Sequence, residues 1–288
     1  MLRIGVVDYL NAYPLWAALE QTGVSNMEPG RRAHIAREIH SNKDRASNDA
    51  ASAVEFDSSV ELLRGVPSFL VDELLSGRLD AALISSVEYL RHREGFSFHP
   101  DLCIAATREV KSIRLFLHTL REPFASQLKT MRKIYTDISS RSSVAQLQMM
   151  LAELKLTVPL EEIADAGKHI TELREGEALL AIGDTALTHM AEPSYDLQRE
   201  YFRIFGHGFV YALWVFRASL SAVIIPVLSR AFDAYQADVS RYLRQATERF
   251  GFSADFTKAY LTETILHGLS AERRADLEFF AAQQHLAV

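Results

Sequence analysis

The sequence predicts an α/β protein of two lobes with a ligand cleft between them. Three observations carry that expectation. Short apolar runs of strand length alternate with helical patterns along most of the chain, the arrangement that builds largely parallel sheets covered by helices. Polar residues collect where those runs end, and open α/β sheets bind ligands at the carboxyl ends of their strands. A long apolar strand, Phe209 to Phe216, comes late and is followed only by helical pattern, so the chain is expected to leave one lobe and return to it. The expected division gives residues 1–108 and 209–288 to the first lobe, with a surface insertion at about 22–59, and residues 109–208 to the second. At 288 residues the chain is long enough to bury such a core.

The first run, Ile4-Gly5-Val6-Val7, reads as a buried strand. Pro14 then fits a first helical turn, where its missing N–H costs nothing, ahead of a helix over Leu15 to Leu19. Between them lies a polar turn with Asp8 and Asn11. Asn11 carries an acceptor and two donors at a strand end, which suits a ligand-facing group. An asparagine that closes the turn is the plainer alternative. From about Thr22 to Ser59 large apolar residues thin out, and a solvated excursion with one short helix around Ala33 to Ile39 is expected.

Val60 to Leu63 reads as the next strand, followed by a helix from Ser68, as N-cap, to Leu75, with Gly77 as C-cap. Ala81 to Ile84 is a buried strand that delivers Ser85 and Ser86 at its end. Leu102 to Ala106 and Ile113 to Leu117 are strands flanking Lys111-Ser112, and Lys133 to Thr136 is another. Four serines, Ser139, Ser140, Ser142 and Ser143, surround Arg141 before a helix over Val144 to Leu154. Free N–H groups, the positive dipole end and several hydroxyls make this a natural carboxylate or phosphate site. Simple N-capping would need one serine. Ala178 to Ile182 ends in Gly183-Asp184, where Asp184 serves a ligand or caps the next helix. The helices from Ser219 onward, including Thr257 to Leu266 and Ala271 to Gln283, are expected to pack without carrying chemistry.

Composition narrows the classes. A hydrophobic fraction of 48% with 24% charged residues is ordinary for a globular protein. The net charge of -6 argues against a nucleic-acid surface. The single cysteine, Cys103, lies in an apolar run and reads as a buried structural thiol. No secretory leader pattern and no apolar run of membrane-spanning length stand out, so a cytoplasmic protein without membrane contact is expected. No phosphate loop, dinucleotide fingerprint, metal-ligand spacing or nucleophile elbow is present, and neither cofactor nor metal is expected. His207, in Gly206-His207-Gly208, is expected to pack or lie at the surface.

Read in order, several motifs resemble one family. They are Asp8-Tyr9-Leu10-Asn11 with Pro14-Leu15, Gly65-Val66-Pro67-Ser68, and Asp80-Ala81-Ala82-Leu83-Ile84-Ser85-Ser86 with Glu88-Tyr89. Val110-Lys111-Ser112, Ser139-Ser140-Arg141-Ser142-Ser143-Val144 and Ile182-Gly183-Asp184 with Ala186-Leu187 follow, then Tyr195-Asp196-Leu197 ahead of Phe209-Val210-Tyr211-Ala212-Leu213-Trp214. Together they resemble the chorismate dehydratases of the futalosine route to menaquinone. Two stretches depart from that pattern. Phe205-Gly206-His207-Gly208 stands where a Thr-Gly-Leu-Pro-type run is usual, and the insertion near residue 40 is long.

The resemblance implies a periplasmic-binding-protein type II-like fold turned to catalysis. The implied reaction removes water from chorismate and gives 3-[(1-carboxyvinyl)oxy]benzoate. It implies Asn11 and Ser86 as the groups that position substrate and hydrogen-bond the departing hydroxyl. Ser85, Ser112, Ser140, Arg141, Ser142, Ser143 and Asp184 would hold the dianion. The proton acceptor stays open among a substrate carboxylate, Asp8 and Asp184. Two other readings of the fold are a non-catalytic carboxylate-binding protein, usually exported behind a leader, and the sensing domain of a regulator, usually behind a helix-turn-helix.

Overall fold

The computed structural model describes residues 1–21, 60–121, 123–138 and 140–286. The expected insertion at 22–59 with its helix, and Ser139, lie outside the described residues.

The chain opens with β1 (Leu2–Val6), passes a 3-10 turn (Leu10–Ala12) and enters α1 (Tyr13–Trp16), with Pro14 in the first helical turn. Then come β2 (Val60–Arg64), α2 (Pro67–Leu75), β3 (Ala81–Ser85), α3 (Ser86–His92) and β4 (Phe96–Ala106). The middle of the chain builds β5 (Ile113–Leu117), α4 (Phe124–Lys129), β6 (Lys133–Asp137), α5 (Arg141–Glu153) and β7 (Leu160–Ile163). It continues through α6 (Ala166–Ile170), β8 (Glu177–Ile182), α7 (Gly183–Thr188), β9 (Ser194–Asp196) and α8 (Leu197–Phe205). The return consists of β10 (Phe209–Arg217), α9 (Ser221–Ala237), α10 (Val239–Phe250), α11 (Ala254–Ala259), β11 (Leu266–Gly268) and α12 (Ala271–Gln283).

Two sheets result. The first has the order β11-β4-β10-β3-β1-β2, the second β7-β6-β8-β5-β9. β1 runs parallel to β2 and β3, while β10 lies antiparallel between β3 and β4, with Leu213 opposite Ile84. β10 is apolar on nearly every position because both its faces and both its edges are covered. In the second sheet β6 is parallel to β7 and β8, and β5 is antiparallel to β8 and β9. The chain crosses between sheets twice, between Ala106 and Ile113 and between Phe205 and Phe209.

Several local expectations are corrected. α2 starts at Pro67, not behind a Ser68 cap: Val66 holds the N-cap position without a side-chain bond, because Pro67 gives up no donor in the first turn. Ser76 takes the C-cap, and Gly77 follows in the left-handed region at φ +76°. α5 begins at Arg141, three residues early, so Arg141, Ser142 and Ser143 form its first turn. The helix expected over Thr257 to Leu266 instead widens into a π turn at Tyr260–Thr264 and ends in strand β11, which pairs with β4.

The stretch Ala218–Ala237 has an 18-residue-scale window of mean hydropathy 1.2 and is long and apolar enough to cross a membrane. This corrects the reading that no stretch reaches that length. It buries Ile224, Val227, Leu228, Ala231 and Tyr235, a stripe at helical spacing, on α1 and β10. Cys103 is fully buried, as expected, and burial pushes its thiol up to about 12.

Candidate functional site

Between the sheets lies a cavity of about 80 Å³. Its floor and walls are mostly apolar, with Val7, Leu83, Ile104, Ile113 and Ile182 among them. Its polar lining is Tyr9, Asn11, Ser85, Ser140, Arg141, Ser142, Ser143 and Tyr211. Ordinary ligand pockets measure roughly 300–1,000 Å³, so the space left here between the side chains is smaller than that of an ordinary ligand pocket.

Three helix N-termini point into this space: α3 at Ser85, α5 at Ser140 and α7 at Gly183. Each brings unpaired N–H groups and a positive dipole end. Ser140 sits at the N-cap position of α5, yet its side chain makes no cap bond, and its buried Oγ has no partner among the described residues. The plain capping reading of the serines therefore fails for Ser140. Arg141 lines the cavity with its side chain exposed, and it forms no ion pair among the described residues.

Ser142 bridges the lobes. Its hydroxyl donates to the Tyr211 carbonyl at 2.7 Å and lies 2.6 Å from the Ser85 hydroxyl. Ser86 is fully buried and does not line the cavity: its hydroxyl donates to the Val210 carbonyl at 2.5 Å. Ser112 is also fully buried, with its hydroxyl 3.3 Å from the Val110 carbonyl. Asp184 is outside the lining as well, and accepts the Leu10 N–H at 3.1 Å, which joins α7 to the Asn11 turn. Of the sequence-predicted site residues, the fold thus brings Asn11, Ser85, Ser140, Arg141, Ser142 and Ser143 to one cavity. Ser86, Ser112 and Asp184 stand behind its wall.

The Asn11 turn is fixed from several sides. The Trp16 indole N–H donates to the Val7 carbonyl at 3.1 Å, and His267 Nε2 meets the Asn11 carbonyl at 2.8 Å. Burial holds the His267 imidazole down to about 4, so the neutral ring donates from Nε2. Gly183, at φ +62°, faces the Tyr9 ring, and a Cβ there would stand 3.1 Å from it. Only glycine gives both that backbone and that approach.

The two carboxylates near the turn differ. Asp8 is held by Arg249 through two contacts, Nη2–Oδ2 at 2.7 Å and Nε–Oδ1 at 3.1 Å, with the guanidinium above Trp16. Asp184 is pushed up to about 7, chiefly by burial and further by Asp8, against the Leu10 N–H. Among the described residues that line the cavity there is no carboxylate, histidine, lysine or cysteine. Among the described residues no three His, Cys, Asp or Glu side chains are grouped to hold a metal.

The sequence reading passed over Tyr211, Tyr260 and His267. Tyr211 lies inside an apolar run that reads as core, Tyr260 in a stretch that reads as a packing helix, and His267 just beyond the end of that stretch at Leu266.

Comparison with known proteins places this geometry. A family model described as menaquinone biosynthesis matches residues 2–285. The chain belongs to that menaquinone biosynthesis family. A chorismate dehydratase from Thermus thermophilus is 28% identical over 175 residues, a match that covers 54% of this chain and 61% of that protein. The chain thus spans about three fifths of the length of that relative.

Solved structures share the fold at low identity. A protein from Archaeoglobus fulgidus superposes with a TM-score of 0.67 at 10% identity, covering 99% of this chain and 96% of that one. The periplasmic aliphatic sulphonate binding protein SsuA from Escherichia coli gives 0.60 at 13%, covering 99% and 86%. A Candida albicans protein with the generic periplasmic binding protein fold gives 0.59 at 11%, covering 98% and 90%. The two-lobed periplasmic-binding-protein architecture expected from the sequence is therefore the fold of this family member.

Proposed function

We propose that this protein is a chorismate dehydratase, a hydro-lyase that makes 3-[(1-carboxyvinyl)oxy]benzoate for the futalosine route to menaquinone in the cytoplasm. The described lining of the cavity carries the reading: hydroxyls, one amide and one guanidinium on apolar walls, with no carboxylate, histidine or lysine among the described residues. Such a site can grip and orient a carboxylated ring but offers no strong base of its own. Dehydration of chorismate asks for little more. The C3–H pair becomes a ring bond, the C4–O bond breaks, and the leaving hydroxide takes a proton and departs as water. Aromatisation supplies the driving force, and orientation in a closed cleft does the rest.

In this reading Arg141, Ser140 and Ser143 take a carboxylate at the α5 N-terminus. Asn11 hydrogen-bonds the departing hydroxyl. The C3 proton goes to a carboxylate of the substrate itself, because Asp8 is committed to Arg249 and Asp184 to Leu10. Ser86 acts from behind, holding the Val210 carbonyl next to the strand position that receives Ser142.

The alternative is a non-catalytic carboxylate-binding protein, favoured by the likeness to a sulphonate-binding protein. One experiment separates them. Purified protein is incubated with chorismate and products are followed by mass and ultraviolet absorbance. A species lighter by one water and aromatic supports the dehydratase, and loss of that turnover in Asn11→Ala supports the role of the amide. Intact chorismate with calorimetric binding would favour the binding protein.

A further inference from the structure

The stretch from Tyr260 to Gly268 does more than pack. Where α11 ends, the backbone widens into the π turn Tyr260–Thr264, a rare distortion frequently found at functional sites. That turn packs against the 3-10 turn Leu10–Ala12, and three residues later His267 donates to the Asn11 carbonyl at 2.8 Å. Asn11 is thus gripped from one continuous segment of the return path.

Tyr260 itself is fully buried, and among the described residues its hydroxyl makes no aligned hydrogen bond. Burial drives the phenol far up, so it is neutral, while Ser112 and Asn11 beside it partly offset that burial. A buried hydroxyl without an aligned partner lowers stability, and phenylalanine would fill the same space without that cost. The fold therefore gives no reason for the oxygen, whereas its two polar neighbours do.

We propose that Tyr260 is a positioning residue for Asn11: its hydroxyl engages the Asn11 side-chain amide and holds it in one orientation, while His267 pins the backbone of the same residue. A primary amide presents donors on one side and an acceptor on the other, and a freely turning one offers the wrong face half of the time. The inference rests on the role given to Asn11 above.

The test uses Tyr260→Phe in the full chain. Only four asparagines occur in the sequence, Asn11, Asn26, Asn42 and Asn48, so side-chain 15N labelling of asparagine gives few signals, and Asn11→Ala assigns the pair of interest. In Tyr260→Phe the Asn11 amide pair is expected to shift and exchange faster, with the melting temperature unchanged or higher. On chorismate, kcat is expected to fall about tenfold, less than for loss of a donor that touches the reacting oxygen, with KM nearly unchanged. An Asn11 pair that stays in place would overturn the inference, whatever the turnover. Wild-type protein that leaves chorismate intact would sink the dehydratase reading alone, since the amide signals still decide the part played by Tyr260.

Discussion

The hydroxyl oxygens of Ser85 and Ser142 lie 2.6 Å apart across the cleft, and Ser142 passes its own proton on to the Tyr211 carbonyl at 2.7 Å. Since Ser142 donates to that carbonyl, Ser85 is the donor to Ser142. One chain of bonds therefore links the end of β3 and β10 in one sheet's lobe to the first turn of α5 in the other. Ser142→Ala would leave the Ser85 hydroxyl and the Tyr211 carbonyl unpaired in a buried place. Stability is expected to fall by about 1–3 kcal/mol, read as a lower urea midpoint. The unliganded protein should also be more open, with a larger radius of gyration in X-ray scattering.

Among the described residues Arg141 is the one full charge in the cavity lining, and no carboxylate among them neutralises it. A charge-assisted hydrogen bond to a substrate carboxylate contributes about 1.5–3 kcal/mol. Arg141→Gln should therefore raise KM for chorismate by roughly 10- to 150-fold. Arg141 is exposed and has no ion-pair partner among the described residues, so its loss should move the unfolding free energy by no more than about 0.5 kcal/mol. Parallel loss of stability and affinity would mean that Arg141 serves the fold.

Asp184 makes stability depend on pH with a definite sign. Its carboxyl stands at about 7 in the folded protein against an ordinary 3.8. Between those values the folded state holds a proton that the unfolded state has lost, so stability falls as pH rises through the window and levels off above it. The slope approaches about 1.4 kcal/mol per pH unit at its steepest. Asp184→Asn keeps an oxygen for the Leu10 N–H and cannot ionise. The difference between wild-type and Asp184→Asn unfolding curves, measured from acid to neutral pH, should decline and then flatten near pH 7. His267, held down to about 4, acts oppositely and loses stability as pH falls from its ordinary 6.5. His267→Gln, which cannot ionise, should remove that acid-side loss.

Most of the sheet strands were legible because they are continuous apolar runs, as in Ala81 to Ile84 and Phe209 to Phe216, and such runs mean burial whatever surrounds them. α12 was legible to the residue from its spacing, and the structure adds Ser270, whose hydroxyl accepts the Arg273 N–H as an N-cap. β7, β9 and β11 were not. They have three or four residues each and lie at sheet edges, where pairing with β6, β5 and β4 decides the conformation. Strand ends told where site residues gather but not which way each side chain turns. Ser85 and Ser86 are adjacent in sequence, yet only Ser85 reaches the cavity, because a carbonyl 124 residues further on takes the Ser86 hydroxyl. Asp184 was drawn out of the lining in the same way by Leu10. A partner so distant leaves no mark on local pattern.

The strongest test of the architecture lies at Gln198, a fully buried residue whose side chain touches both crossings between the lobes. Its Nε2 donates to the Thr107 carbonyl at 2.7 Å and to the His207 carbonyl at 3.1 Å. Its Oε1 receives the Gln146 amide at 2.8 Å and faces the Tyr211 hydroxyl at 3.0 Å. Gln146 belongs to α5, whose first turn supplies Arg141, Ser142 and Ser143, so the hinge and the serine site share one buried network. Gln198→Leu keeps the volume and removes every one of these bonds, and should cost about 2–4 kcal/mol in unfolding free energy. If the network acts as a unit, Gln146→Leu added to Gln198→Leu should cost much less than the sum of the two changes, a coupling of about 0.5–3 kcal/mol. Simple additivity would show instead that the two amides stabilise the fold independently and that the hinge is not tied to α5.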